Sequence, residues 1–426
     1  MKIGVVSLGC AKNLVDTERM LGLLKRSGHE IVTAPESAEA LIVNTCGFIE
    51  PAKQESINTI LEMAAFKQRG ACKTLVVTGC LSERYRAELV EAMPEVDIFL
   101  GVREYEKLPK LLDGSARDLP GRPRILSTPP WRAYLRIADG CDNRCAYCAI
   151  PLIRGPLKSE PIDALLEEAS QLVDGGVTEL TLIAQDSSGY GRDIYEAPKL
   201  IELMGRISRI GGLHWLRVLY TYPDTVNEEL IDFMRENERI VPYLDMPMQH
   251  ASDRMLRRMN RRGSAEHLAR VLDYVHEHAG DFTLRTTMML GFPGETDEDF
   301  QELLRFLNAH PFHRVGAFTF SAEEGTPAAN MPEAVPEHVK QERLDALMLQ
   351  QQAISARLCR ERVGTTTEVL IEGTAETGFF GRSQAEAPDD IDGRILLPSA
   401  QGLRGGQYLP VKLTAALQYD MIGEPL

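Results

Sequence analysis

From Lys2 to Phe320 short apolar stretches alternate with helical patterns, and this alternation limits the chain to sheets of parallel strands covered by helices. Residues 2–8, 40–44 and 74–78 form a first series of strands, with helical patterns at 14–26, 52–67 and 83–92. A second series places strands at 131–137, 179–184, 213–219, 241–245, 283–289 and 314–320, separated by helices at 162–173, 199–208, 226–236, 265–278 and 297–307. Six strands are too few to close an eight-stranded barrel, so an open, crescent-shaped (β/α)6 barrel is expected. Past a long helical pattern at 337–362, short strands separated by Gly and Asp turns read as a small antiparallel β-barrel. The expected organisation is α/β: an N-terminal parallel-sheet domain at 1–112, a Pro-, Gly- and Arg-rich linker at 113–130, the partial barrel at 131–362 and the β-barrel at 363–426.

Ligand sites in parallel sheets lie beyond the carboxyl ends of the strands, and that is where the cysteines fall. The first three strands close on Cys10, Cys46 and Cys80, which should therefore converge; the competing reading is three unrelated buried thiols. Cys141, Cys145 and Cys148 share one polar loop after the strand at 131–137. Zinc favours paired C-x-x-C knuckles with a second pair or histidines beyond, and none follows here. A four-iron cubane normally takes four cysteines, so a loop that supplies three leaves one iron open for chemistry. Cys72 precedes its strand and Cys359 lies in a long helical pattern, as ordinary thiols would. Eight cysteines, no leader pattern at the N-terminus and no run of about 18 apolar residues point to a reducing, cytoplasmic setting and no membrane span.

The run Cys141-Asp142-Asn143-Arg144-Cys145-Ala146-Tyr147-Cys148 resembles the signature of radical S-adenosylmethionine enzymes, including the aromatic Tyr147 before the last cysteine. That resemblance implies a [4Fe-4S] cluster on Cys141, Cys145 and Cys148, S-adenosylmethionine on its open iron, and cleavage to a 5′-deoxyadenosyl radical. Gly9-Cys10-Ala11-Lys12-Asn13, Asn44-Thr45-Cys46-Gly47-Phe48-Ile49 and Thr78-Gly79-Cys80 sharpen it to the methylthiotransferases. Membership there implies a second [4Fe-4S] cluster, on Cys10, Cys46 and Cys80, that carries or supplies the sulfur. Gln185 follows the second barrel strand, where cofactor contacts are expected. Residues 291–296 read on spacing alone equally as a capped turn or as a ligand loop; the resemblance sets Gly291 near the cofactor's adenine. His250, between Gln249 and Ser252, reads as a hydrogen-bonded structural group. Glu160 departs from the family pattern, which has arginine there.

The formal net charge is -15. From Val363 onward four basic residues (Arg382, Arg394, Arg404, Lys412) face nine acidic ones (Glu368, Glu372, Glu376, Glu386, Asp389, Asp390, Asp392, Asp420, Glu424). This segment resembles a TRAM domain, a module that usually binds RNA, but its charge would repel a phosphate backbone and attract a basic protein. The cysteine-flanking residues and Gln249-His250-Ala251-Ser252-Asp253 resemble the ribosomal-protein branch of the family, which implies an aspartate on the twelfth protein of the small ribosomal subunit as target, and an electron donor as second partner. Nucleic acid is the less expected substrate, with a transfer-RNA adenosine as the sister activity. A non-catalytic iron–sulfur carrier and an RNA-binding module are the readings from other classes.

Overall fold

The computed structural model describes residues 1–114, 123–389 and 391–426. The centre of the expected linker, 115–122, and Asp390 lie outside the described residues. The N-terminal sheet has five parallel strands in the order Glu30–Val32, Lys2–Ser7, Ala40–Thr45, Thr74–Gly79, Ile98–Phe99. Ala40–Thr45 is buried along its whole length, as the unbroken run Ala-Leu-Ile-Val requires of a strand covered on both faces. The two edge strands are absent from the sequence reading because three and two residues carry no periodicity. The helical pattern expected at 83–92 begins earlier, at Cys80. That at 52–67 resolves into Glu50–Ala64 and a short turn at Phe66–Arg69.

Six parallel strands form the central crescent: Arg132–Arg136, Glu179–Ile183, Trp215–Val218, Tyr243–Asp245, Thr283–Leu290 and Arg314–Thr319. They make two three-stranded halves joined through one parallel bridge between Leu216 and Ile240. Helices Ile162–Asp174, Leu200–Ile207, Glu228–Arg235, Ala265–His278 and Asp297–Ala309 each bury an apolar face on the convex side. Asp297–Ala309 starts at a capping box, with the Thr296 side chain accepting from the Asp299 N–H and the Asp299 carboxylate accepting in return.

After the helix Glu337–Glu361 the chain closes a barrel in the order Thr366–Thr374, Phe379–Arg382, Ile395–Leu397, Met421–Pro425, Tyr408–Ala416. The expectation of a purely antiparallel barrel fails at one pair: Ile395–Leu397 runs parallel to Met421–Pro425. A ring with an odd number of strands cannot alternate direction all the way round, so closure forces one parallel neighbour.

The concave side of the crescent is filled from both chain ends. Val15 of the first helix and Leu370 and Ala387 of the β-barrel pack with Tyr134, Ile183, Trp215 and Tyr243. Acidic residues of the C-terminal segment serve this contact. Glu372 accepts from Arg382 at 2.9 Å, Glu386 from Arg362 at 2.6 Å and Asp392 from the Tyr243 hydroxyl at 2.6 Å, while Asp389 pairs with Arg132 and Tyr134. His214 lies 2.7 Å from Glu368. The acidic count read from the sequence therefore overstates the free negative surface of this domain.

Glu179 is fully buried between Arg217 and Arg382. Burial alone would raise its carboxyl, but the Arg382 and Arg217 guanidiniums outweigh it and hold the pKa at about 2. Glu386 is likewise raised by burial and pulled down more strongly by Arg362 and Arg314, to about 2. Both folded values lie below the ordinary 4.5, so the native state binds fewer protons than the unfolded one. Their stabilisation is complete above about pH 4.5 and is lost as pH falls toward 2. Thermal melts followed by circular dichroism should be nearly flat from pH 7 to 5 and fall steeply below. Glu386→Gln should flatten that acid limb.

Among the described residues no helix is long and apolar enough to cross a membrane.

Candidate functional site

Tight backbone approaches bring the three N-terminal cysteines to one end of the sheet. Gly9, at φ 89°, lies so close to Cys46 that a Cβ there would meet the Cys46 Sγ at 3.1 Å and its Cβ at 2.9 Å. Gly79, at φ 97°, turns the third strand into its helix, and a Cβ there would strike the Thr45 carbonyl oxygen. Cys10 is the N-cap of the helix Ala11–Arg26 and Cys80 the first residue of Cys80–Ala92, so both stand at helix N-termini. Asn13 ties the loops together: its Nδ2 donates to the Leu8 and Thr45 carbonyls at 3.0 and 2.9 Å, and its Oδ1 accepts from the Cys80 thiol at 3.4 Å.

The second triad sits on the loop after Arg132–Arg136. The Cys141 N–H donates to the Gly155 carbonyl at 3.1 Å and the Ala146 N–H to that of Met259 at 2.8 Å, which shapes the loop from both sides. Arg261 donates to the Cys145 sulfur at 3.7 Å and the Tyr147 hydroxyl at 3.0 Å, while its other nitrogen is fixed on the Pro247 carbonyl at 2.6 Å. The Ile150 N–H points at the Cys148 sulfur at 3.4 Å.

These donor sets suit metal-bound thiolates. All six cysteines are free, and burial pushes Cys80 and Cys148 up to about 12 and Cys141 to about 11, so without a metal these thiols keep their protons. Arg154, Arg261 and the Ile150 N–H would share the thiolate charge if iron displaced those protons. Among the described residues no three His, Cys, Asp or Glu side chains converge as for a single ion. A cubane asks for something else, since each thiolate binds a different iron.

The triads are neighbours. Cys80 and Val102 pack against Ala149 and Ile153, directly after Cys148 in the chain. Arg154, a few residues on, donates to the Cys80 sulfur at 3.7 Å and Asn13 Oδ1 at 2.7 Å, and pairs with Asp16 at 3.0 Å and Asp139 at 3.2 Å. Glu323, buried beyond the last barrel strand, accepts from Lys53 at 3.1 Å and Arg84 at 2.9 Å, on the helices behind Cys46 and Cys80. Lys12 reaches across the mouth, its Nζ 3.1 Å from the centroid of the Tyr220 ring. Burial lowers the Lys12 ammonium to about 8 against the opposing pull of Cys10 and Asp245.

The structure places the other residues singled out in the sequence as follows. The Tyr147 ring meets Phe292 edge-on at 6.4 Å. Gln185 donates to Asp139 at 3.0 Å and keeps a buried, unpartnered Oε1. Gly291 has φ 70°, and the space its side chain would fill is taken by the stem of Lys340. His250 is fully buried, its Nδ1 accepting from the Ala251 and Ser252 N–H groups at 3.0 and 2.9 Å. Burial lowers its pKa to about 4, so it stays neutral, as a structural histidine should. Cys72 and Cys359 are buried away from both triads. The sequence gives no role to Asn13, Arg154 or Arg261; folding supplies one, Arg154 reaching across to Asn13 and Cys80, and Asn13 and Arg261 bonding loops distant in the chain within their own domains.

Residues 2–101 match the family described as uncharacterized protein family UPF0004, 135–307 the radical SAM superfamily and 363–426 the TRAM domain. The ribosomal protein uS12 methylthiotransferase RimO of Pelotomaculum thermopropionicum is 46% identical over 440 residues, covering 100% of this chain and 99% of that one. Its counterpart from Acetivibrio thermocellus is 44% identical over 445 residues, covering 99% and 98%. Among solved structures, the radical S-adenosylmethionine methyltransferase TsrM from Kitasatospora setae superimposes with a TM-score of 0.58 at 14% identity, over 77% of this chain and 74% of its own, a likeness of fold alone.

Proposed function

The chain belongs to the RimO family of ribosomal protein uS12 methylthiotransferases, and from that premise we propose that Cys10, Cys46 and Cys80 hold one four-iron cluster and Cys141, Cys145 and Cys148 the other. It is a radical S-adenosylmethionine methylthiotransferase that uses two [4Fe-4S] clusters and S-adenosylmethionine, with uS12 as substrate. The target is the β-carbon of an aspartate. The observation that carries the assignment is the contact between the triads, with Arg154 of one loop on the Cys80 sulfur of the other.

When bound, the clusters and S-adenosylmethionine supply a hydrogen-abstracting radical and a methylated sulfur. The chain's own residues position and insulate them. Arg154 and Asn13 fix Cys80, while Arg261 orients Cys145 together with Tyr147. Val102, Ala149 and Ile153 keep water from the wall between the triads. Tyr147, Gln185 and Gly291 are assigned to the S-adenosylmethionine side; the unpartnered Oε1 of Gln185 supports this, since a buried acceptor needs a donor. The division into 1–112, 131–362 and 363–426, with a linker at 113–130, is supported by the three family matches. A cytoplasmic location follows from a ribosomal substrate and oxygen-sensitive cofactors. An electron donor completes the partners.

Mass spectrometry of uS12 from small ribosomal subunits, with and without the gene, tests the substrate. A gene-dependent gain of one methylthio group on an aspartate of uS12 is expected. Unchanged uS12 with gene-dependent methylthioadenosine in transfer RNA would instead establish the sister activity.

A further inference from the structure

We propose that Lys12 selects the target side chain: its ammonium binds the β-carboxylate of the substrate aspartate at the carboxyl ends of the barrel strands, beside Cys10. This rests on the function proposed above. Lys12 is 7% exposed, yet among the described residues its Nζ has no hydrogen-bond acceptor and lies instead on the face of Tyr220. An ammonium removed from water is costly without an anionic partner, and an aromatic face offsets only part of that cost. The carboxylates that feel its charge are already engaged. Asp245 accepts from Arg285 Nη1 at 2.9 Å and from the Tyr220 N–H at 3.0 Å. Asp139 accepts from Gln185 at 3.0 Å and Arg154 at 3.2 Å. Cys10, the other group whose charge Lys12 feels, is committed to iron in the function proposed above, so the Lys12 charge is left over for a guest.

Its location suits that guest. Lys12 stands two residues beyond Cys10, while Tyr220 and Asp245 lie at the carboxyl ends of barrel strands. The side chain therefore spans from the N-terminal triad to the barrel mouth. Tyr220 holds φ 63°, a left-handed conformation that a non-glycine residue keeps only when its surroundings impose it, here through Asp245. The carbon that loses hydrogen is bonded directly to the carboxylate, so anchoring the carboxylate places that carbon one bond away. An asparagine would turn either a weaker neutral acceptor or its NH2 donors toward the ammonium, and an adenine offers no anion at all.

The test compares uS12 peptides carrying Asp or Asn at the target position, using the reconstituted full chain and its Lys12→Met and Lys12→Arg variants, with iron and sulfide content as the check of folding. The parent should prefer Asp by about 100-fold in kcat/KM, the size of effect expected for a desolvated charge pair. Lys12→Met should lose about that factor on the Asp peptide and bring the Asp/Asn ratio close to one, and Lys12→Arg should recover part of the preference. A Lys12→Met protein that keeps the parental ratio, or loses equally on both peptides, overturns the assignment, since a purely structural or cluster-directed lysine would behave so. A parent that accepts Asn as readily as Asp overturns it without any variant. A parent that modifies neither uS12 nor its peptides removes the functional reading along with it.

Discussion

Alanine in place of Cys10, Cys46 or Cys80 will abolish methylthio transfer to uS12 while 5′-deoxyadenosine is still formed from S-adenosylmethionine; alanine at Cys141, Cys145 or Cys148 will end both. The asymmetry follows from where the thiols stand. Tyr147 and Arg261 stand at the barrel triad and Gln185 on Asp139 just before it, whereas the N-terminal triad meets that loop through the Cys80–Ala149 contact and Arg154. Losing a ligand should exceed the roughly 10–100-fold effect of losing an outer partner, which is the range expected for Asn13→Ala acting through the three loops it joins. Anaerobic reconstitution, iron determination and chromatographic measurement of deoxyadenosine and modified peptide check each variant. Equal loss of deoxyadenosine in both groups, with folded protein, would contradict the division of labour.

The largest effect on stability is expected at Glu179→Ala. The carboxylate is the common partner of Arg217 and Arg382, both at or below 2% exposure, and its removal leaves the buried Arg217 guanidinium without its counter-ion and Arg382 with Glu372 alone. Breaking a buried pair in this way costs about 3–5 kcal/mol. Urea unfolding should show a large drop in midpoint, and a companion Glu179→Ala/Arg217→Met variant should recover part of it by removing the stranded charge. A change below about 1 kcal/mol would mean that water reaches the arginines at the barrel–barrel contact.

The cysteine positions were legible because strand-end placement is written locally: an apolar run, then Gly-Cys or Thr-Cys, then a helix. The six barrel strands were legible for the same reason. The strands Glu30–Val32 and Ile98–Phe99 were not, since their pairing is decided by the neighbouring strand rather than by their own composition. The acidic tail illustrates a different limit. Formal charge suggested an open negative surface, but Glu372 and Glu386 pair with the nearby Arg382 and Arg362, and Asp389 and Asp392 face Arg132 and Tyr243 from distant parts of the chain. Counting charges cannot reveal such neutralisation. Arg154 and Lys12 share this character: both lie beside recognisable motifs, and their significance exists only across the interface.

Arg154 leaves one cysteine loop and grips a sulfur of the other. With each loop holding its proposed cluster, oxidative damage to one would disturb the other, and repair in a cell exposed to oxygen would rebuild the pair as a unit before turnover resumed.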